Sequence, residues 1–368
     1  MSASLSTRER VIRTLRCEET DRIPLYDLLR NDAAFEHFAG ERLPALRDDE
    51  ATRAALHRIA ATATGRFLDM TRSVGFGPVA ERDVTDEDGF VRHESPYEKT
   101  TWIVRRPFDD VPGAAAYLER WSARLLDRAA EIERRPAPYR EQYHRSFLET
   151  QRHLGGTVNL LAQHGVGLDA VRHDLGMELF AYLEADRPGL ISEALEARTR
   201  FSVAECHAVA DPELSPVVLT YGDIACKGAL LHTPEWLRRE FYPRLARINA
   251  AWHEHGMSCL FHSDGQLSDA LDDLIAAGID GLNPIETMAG MTLAGTRRRV
   301  GPRIYLAGGI DMSQLLSNAE PDEVRAACRQ AVHDAYPGYF MGSTTEADNS
   351  CRLANLLAMR EVALEGST

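Results

Sequence analysis

The sequence contains very little lysine and has no run of basic residues. Of its 42 basic residues only Lys99 and Lys227 are lysines, and the formal net charge is -14. A protein that binds nucleic-acid phosphates needs clustered positive charge. We therefore expect no nucleic-acid partner.

Cysteines are few and none lie in a C-x-x-C pair. The six are Cys17, Cys206, Cys226, Cys259, Cys328 and Cys351. This spacing excludes a disulfide framework and a four-cysteine zinc site as readings of the sequence. We expect Cys226 and Cys259 to be small buried hydrophobic residues.

Long apolar segments are also missing. No apolar run approaches the roughly 20 residues that a membrane helix needs. Residues 1–22 are charged and contain no apolar signal core. We expect no membrane association and a cytoplasmic location.

The chain does contain a regular alternation of strands and helices. Its 368 residues are 44% hydrophobic, which is enough for a large core. Short apolar strands alternate with amphipathic helices from about residue 157. Such alternation indicates parallel strands joined by crossovers. The predicted strands are 157–162, 216–221, 257–262, 279–283, 303–307 and 338–342.

Two further strands, 23–26 and 66–70, raise the predicted number to eight. Eight strand–helix units predict a (β/α)8 TIM barrel, an α/β fold, forming one domain over residues 1–368. An open doubly wound sheet has the same local pattern, but no G-x-G-x-x-G loop follows an early strand. A capped N-terminal helix precedes the barrel, and "DEDG" within 78–108 predicts a β-hairpin insertion.

Polar residues follow nearly every predicted strand, where barrel enzymes place their reactive groups. We expect these residues to converge on one site. Any one acid has the alternative of being solvated in a loop, and Asp311 has the alternative of capping a helix. The residues are Asp223, Lys227, His262, Asp264, Asn283, Glu286, Asp311, Glu346 and Cys351.

His262 and Asp264 form the sharpest pair. Residues two apart on a strand share a face, so both side chains are predicted to point into one pocket. The pair suits a metal site or a proton relay, and for zinc the third ligand would be Glu346 or Cys351. The alternative is a hydrogen bond that only ties the loop. Asp223, Glu286 and Glu346 are the predicted proton-transfer residues.

The stretch "RIPLYDLLRND" places further polar groups at the first strand. We predict that Arg30 or Arg72 binds a substrate carboxylate through a bidentate contact. The other predicted substrate-binding residues are Tyr26, Asp27, Asn31, Lys227, Asn283 and Asp311.

Several stretches together resemble the uroporphyrinogen decarboxylase superfamily, and most closely its methyltransferase branch, which works with corrinoid proteins. They are "TRERVIRTLRCEETDRIPLYDLLRN", "GDIACKGALLHTPEWLRREFYPRLARINAAWHEHG", "FHSDGQLSDALDDLIAAGIDGLNPIE" and "RIYLAGGID". The resemblance implies a barrel with its site at the carboxyl ends of the strands. Asp223 lies where the family commonly has an aspartate.

The resemblance also implies a metal. Zinc-dependent thiol methyltransferases of this group bind zinc through a His-x-Cys pair and a later cysteine. Here the pair is His262-Ser263-Asp264, so aspartate replaces the first cysteine, and the later one corresponds to Cys351 or to Glu346. The site then holds zinc differently, holds another metal or holds none. The arginine-rich porphyrinogen-binding motif is also missing from "LYDLLRND", which disfavours porphyrinogen decarboxylation.

Three functions follow from this reading. The favoured one is an enzyme that moves a methyl group between a small methylated substrate or thiol and a cobalamin carried on a partner corrinoid protein, with zinc assisting. The second is a metal-free decarboxylase or C–C lyase acting on a small carboxylate. The third, motivated by the replaced cysteine, is a barrel that binds a ligand without catalysis. A homodimer is the expected oligomer.

Overall fold

Strands alternate with helices along the computed structural model, which describes residues 4–366. The first three and last two residues of the predicted domain lie outside that range. The strands are β1 (Tyr26–Asp27), β2 (Met70–Thr71), β3 (Arg82–Thr85), β4 (Val91–Ser95), β5 (Thr100–Arg105), β6 (Val158–Asn159), β7 (Gln163–Gly165), β8 (Val217–Tyr221), β9 (Ala225–Cys226), β10 (Ala229–Leu230), β11 (Ser258–His262), β12 (Gly281–Asn283), β13 (Tyr305–Ile310) and β14 (Tyr339–Ser343).

The helices separate these strands. They are α1 (Thr7–Leu15), α2 (Asp32–Ala39), α3 (Glu50–Phe67), α4 (Val111–Arg134), α5 (Pro136–Leu154), α6 (Leu168–Leu175), α7 (Met177–Asp186), α8 (Pro188–Val209), α9 (Pro234–Glu240), α10 (Tyr242–Glu254), α11 (Leu271–Ala276), α12 (Leu293–Val300), α13 (Pro321–Ala335) and α14 (Leu353–Leu364). A 3₁₀ turn covers Thr287–Ala289 and a π-helical turn covers Met312–Leu316. Within residues 4–366, no helix has both the length and the apolar character needed to cross a bilayer.

The strands that alternate with helices pair with one another in parallel, as the alternation predicts. One sheet has the order β14-β13-β12-β11-β8-β7, and a second has the order β1-β2-β6. Residues 158–165 connect the two sheets, because β6 belongs to the second sheet and β7 to the first. Between β6 and β7, Leu161 N donates to Val217 O. On the other side, Leu25 and Met341 form an isolated parallel bridge.

A small core covers one face of these strands. It contains Val11, Tyr26, Met70, Val158, Leu160, Val217, Leu219, Leu260, Tyr305, Ala307 and Phe340. Its strand residues recur at every second position, which is the period of a face of a strand. Gly281 leaves room for Tyr305, because a Cβ there would lie 2.1 Å from the tyrosine ring. A much larger core packs the helices around the strands.

Helix α1 confirms the predicted N-terminal helix. Ser6 caps it, with the Ser6 hydroxyl accepting from Glu9 N and the Glu9 side chain accepting from Ser6 N. This reciprocal pair satisfies two of the unpaired N–H groups at the helix start. The helix then carries Val11, which is fully buried, into the small core.

The insertion is larger than the predicted hairpin. The "DEDG" turn joins β3 to β4 as expected, but β5 pairs with β4 and makes a three-stranded antiparallel sheet. Strand β5 was missed because its residues are mostly exposed. It therefore lacks the alternation of apolar and polar residues by which a half-buried strand is recognised.

Other boundaries also differ from the prediction. The predicted helix 233–256 is interrupted at Phe241, two residues before Pro243, which has no N–H for the helix ladder. The predicted helix 266–278 is regular only over α11. Helix α3 continues to Phe67, so most of the predicted strand 66–70 is not strand.

Asp69 ties the beginning of the chain to the sheet. Its buried carboxylate accepts from Arg10 Nη1 at 3.1 Å, from both terminal nitrogens of Arg22 and from Leu25 N at 2.9 Å. The Asp69 side chain is 3% exposed and that of Arg10 is 5% exposed. Removing the carboxylate would leave Arg22 without the carboxylate it pairs with and Arg10 with its remaining partner Asp21, and losing one member of a buried ion-pair network is costly.

We predict that Asp69→Asn lowers the free energy of unfolding by about 3 kcal/mol, the scale measured when one member of a buried ion pair is removed. The matched control is Asp272→Asn, whose partner Arg299 is exposed. Urea denaturation of both variants checks this. Equal midpoints for the two variants would show that Asp69 does not anchor the N-terminal segment.

Candidate functional site

The end of β11 places His262 at the edge of the small core. Leu260 lies in that core, so His262, two residues on, is on the same face. The His262 side chain is 12% exposed. Its Nδ1 lies 2.8 Å from Asn283 Oδ1, at the end of the neighbouring strand β12.

Asn283 determines which nitrogen of His262 carries the proton. Its Nδ2 donates to Ala307 O at 3.2 Å, so its Oδ1 is the acceptor that faces the imidazole. The ring therefore donates from Nδ1 and keeps a lone pair on Nε2. That nitrogen lies 3.9 Å from Asp264 Oδ1.

Asp223, His262 and Asp264 form the candidate ligand group. One donor atom from each lies within 4.8 Å of the other two. Asp223 Oδ1 also accepts from Asp264 N at 3.1 Å. Asp264 Oδ1 is buried, and no residue between 4 and 366 donates a hydrogen bond to it. A buried acceptor without a donor is costly unless a proton or cation meets it.

Arg72 brings positive charge to the imidazole. Its Nη1 lies 3.2 Å from His262 Nδ1 and 3.3 Å from Nε2, and its Nη2 donates to Thr345 O at 3.4 Å. Burial, followed by the Arg72 charge, lowers the pKa of His262 to about 4. The imidazole is therefore neutral at neutral pH, which is the form that binds metals.

Carboxylates crowd the other side of the group. Burial, followed by the negative charges of Asp223 and Glu286, raises the pKa of Asp264 to about 7, and Glu346 contributes in the same direction. Glu286 is held by Gly265 N, which donates to Glu286 Oε2 at 2.6 Å. Like charges this close favour binding of a proton or a cation.

Two predicted substrate-binding residues are engaged by the chain itself. Asp27 is buried and accepts from Ser343 N at 2.8 Å, Ser343 Oγ at 2.9 Å and Leu28 N at 2.9 Å. Burial raises the pKa of Asp27 to about 6. The Tyr26 ring lies in the small core, and burial raises its pKa also. Together they join β1 to β14 beneath the site.

The loop after β14 is held by the loop after β1. Arg30 Nη1 lies 3.5 Å from Glu346 Oε2. Asn31 caps α2 and donates from Nδ2 to Cys351 O at 2.8 Å. Cys351 is buried, which raises the pKa of its thiol to about 12. Neither Glu346 nor Cys351 belongs to the group formed by Asp223, His262 and Asp264.

The remaining sequence predictions have mixed outcomes. Asp311 caps the π-helical turn, accepting from Gln314 N at 2.6 Å, so its alternative role as a cap is confirmed. Lys227 is exposed in the turn between β9 and β10.

Cys259 is buried as expected, but Cys226 is exposed, so its predicted burial is wrong. The short hairpin β9–β10 turns Cys226 outward.

Two residues that contact the site were not predicted from the sequence. Asp169 Oδ1 accepts from Asp223 N at 3.0 Å, and Arg172 Nη2 donates to Asp223 O at 2.7 Å. Both lie on α6, just after β7. The predicted strand ended at residue 162, whereas β7 continues to Gly165. The later strand end is the signal that would have placed "GLDAVR", the start of α6, at the end of a strand and so at the site.

A cavity adjoins the group through Arg72. Its volume is about 420 Å³, and its lining includes Arg72, Tyr143, Thr150, Asn159 and Gln163. Asn159 Oδ1 is buried and receives no hydrogen bond from residues 4–366. The space is polar and is large enough for a small molecule.

Comparisons with known proteins match this chain by fold and not by sequence. No family model matches it, and neither does any curated protein sequence. The fold is similar to that of a methyltransferase from Methanosarcina mazei, with a TM-score of 0.66, 15% identity and coverage of 98% of each chain. It is also matched by a B12-independent methionine synthase from Shewanella sp. W3-18-1 in complex with selenomethionine, with a TM-score of 0.45 and 10% identity over 93% of this chain and 97% of that one.

The second of these likenesses is too weak to support an argument. The first extends over the whole of both chains. This likeness shows a fold shared with a methyltransferase, in line with the fold that the sequence resemblance implies.

Proposed function

We propose that this chain is an enzyme that transfers a methyl group to or from a small molecule at the site around His262. The observation that carries the proposal is the meeting of a neutral imidazole with Asp223 and Asp264 beside Arg72. The fold shared with a methyltransferase supports it. Residues with strongly shifted pKa values in a concave site are typical of catalysis.

We further propose that the parallel strands close into an eight-stranded barrel. In its favour, stretch 158–165 pairs on both sides, and the Leu25–Met341 bridge links β1 to β14. The small core fits the interior of such a barrel. The site would then lie at the carboxyl ends of the strands, where barrel enzymes bind substrates.

The residues of the group fit a divalent cation. They offer one imidazole nitrogen and two carboxylate oxygens, and Asp264 Oδ1 has no donor among residues 4–366. Asp223 is a closer third donor than the predicted Glu346 or Cys351. We propose zinc, which accepts this donor set, although the loss of thiolate also suits harder metals. When bound, such a cation would lower the pKa of a substrate thiol or polarise a methoxy oxygen.

The chain's own residues have separate tasks in this proposal. Asn283 holds the imidazole of His262 with the lone pair on Nε2, and Arg72 Nη1, 3.3 Å away, would move aside when a cation binds there. Arg72 attracts an anionic part of the substrate toward the adjoining cavity, because a guanidinium binds carboxylates well. Asp264, with a pKa of about 7, accepts the proton of a substrate thiol or returns one at neutral pH.

The other partner in the methyl transfer is proposed to be cobalamin on a corrinoid protein. This part depends on the sequence resemblance alone. The expected homodimer, the single domain and the cytoplasmic location likewise stay predictions.

A metal-free decarboxylase or C–C lyase is the second candidate. Arg72 inside the site is the observation that favours it, since a guanidinium there can bind a substrate carboxylate. A protonated Asp264 would then supply the proton that replaces the lost carboxyl group. Release of carbon dioxide by metal-free protein would favour this candidate over methyl transfer.

His262→Ala should abolish the chemistry. We expect methyl transfer between methylcobalamin and small thiols to fall by about 100-fold or more, as for loss of a group that acts directly at the reacting atoms. Zinc bound per chain should fall as well. The control is His333→Ala, whose side chain is 82% exposed. Unchanged transfer and zinc content in His262→Ala would contradict the proposal.

Cation affinity should depend on the proton of Asp264. Because burial and neighbouring carboxylates raise its pKa to about 7, a cation must displace this proton below that pH. We expect affinity to rise with pH, by up to about tenfold per unit, and to level off above about pH 7. His262, with a pKa of about 4, is already neutral over this range.

Calorimetric titration with zinc between about pH 5.5 and pH 8 measures this dependence. Asp264→Asn should bind more weakly and with a much flatter pH profile, because the titrating carboxyl is gone. If the variant keeps the same rise in affinity, another group is responsible for it.

A further inference from the structure

A second group of metal-ligand side chains lies at the other end of the strands. Helix α8 ends shortly before β8 begins, and α10 ends shortly before β11 begins. Their carboxyl ends are therefore near the amino ends of the strands, whereas His262 lies at the carboxyl end of β11. This second group is separate from the site described above.

Three residues from the two helix ends make up the group. Cys206 and His207 are in the last turn of α8, and His255 is the residue that follows α10. His207 Nδ1 lies 3.0 Å from His255 Nε2, and Cys206 Sγ and one ring nitrogen from each histidine lie within 4.8 Å of one another. Ligand atoms around one zinc ion have a comparable spacing, given metal–ligand bonds of about 2.0–2.3 Å.

The surroundings allow an ion to enter. Cys206 is fully buried, His255 is partly buried and His207 is exposed, so the donors lead from the surface inward. Within residues 4–366 the Cys206 thiol makes no hydrogen bond. Helix carboxyl ends also carry partial negative charge, which favours a cation. Glu254 is close enough to contribute, with burial, to raising the pKa of Cys206.

We propose that Cys206, His207 and His255 bind a thiophilic divalent cation, with zinc the best match. One thiolate and two imidazoles are borderline-soft donors that zinc accepts in tetrahedral sites, and water or Glu254 would complete four ligands. The thiol gives up its proton when the ion binds. The ion would join the ends of α8 and α10, so its role is to stabilise the fold.

Cobalt(II) is the probe that separates the two sites. A thiolate bound to cobalt gives a near-ultraviolet charge-transfer band, and the group of Asp223, His262 and Asp264 contains no thiol. We expect the full-length protein to develop this band. His207→Ala and His255→Ala should lose it or need at least about tenfold more cobalt, since each loses a direct ligand. His262→Ala should keep it, so the failure of one proposal does not imply failure of the other.

His253→Ala is the matched control. His253 is on the same helix and pairs with Asp280 at 2.8 Å, near the thiol of Cys259. It should leave the band unchanged. In the His262→Ala background, which lacks the first site, zinc should raise the thermal midpoint, and the added His253→Ala change should leave that rise intact whereas added His255→Ala should abolish it.

Three results would overturn the proposal. The first is the absence of a charge-transfer band at saturating cobalt. The second is a band that survives in both His207→Ala and His255→Ala, and the third is a band that disappears in His253→Ala, since in either case the ion would be bound by a different cysteine. His207 is exposed, so its variant should fold normally and the test does not depend on a change in the core.

Discussion

The hydrogen bond from His262 to Asn283 is the contact on which the chemistry of the site depends. It is made between the ends of two neighbouring parallel strands, so the sheet itself holds both partners. By keeping the proton on Nδ1, it leaves the lone pair on Nε2, which faces Asp264 and which Arg72 Nη1 approaches at 3.3 Å; a cation would bind there by displacing Arg72. In metal sites a histidine ligand commonly donates its other ring N–H to a second residue, which fixes the orientation of the ring.

Charge balance is the second constraint on the site. Burial and the Arg72 charge lower the pKa of His262 and keep it neutral, while burial and neighbouring carboxylates raise the pKa of Asp264 to about 7. Arg72, together with Arg30 at Glu346, supplies two positive charges against the four carboxylates of Asp223, Asp264, Glu286 and Glu346. A cation, or a proton delivered with the substrate, would restore the balance. This is why metal-assisted transfer and proton-dependent lyase chemistry are both compatible with the same residues.

The central strands and the His262–Asp264 pair could be predicted because their signals are local. Strands 216–221 and 257–262 begin within one residue of β8 and β11 and end where those strands end. The positions of Asp169 and Arg172 could not be predicted, because they depend on where β7 ends. The last residues of β7 do not form an apolar run. The ligand role proposed for Asp223 required tertiary information, since only folding brings the loops after β8 and β11 together. The exposure of Cys226 and the third strand of the insertion could not be predicted either, because residue composition is a poor predictor of which residues contact solvent.

The most direct measurement of the central claim is the nitrogen-15 spectrum of the His262 ring, assigned with the His262→Ala variant and recorded with and without zinc. We predict a neutral ring protonated on Nδ1 from about pH 5.5 to pH 8, with a shift of the Nε2 signal when zinc is added. A ring that becomes charged near its ordinary pKa of about 6.5, or an Nε2 signal that ignores zinc, would contradict it.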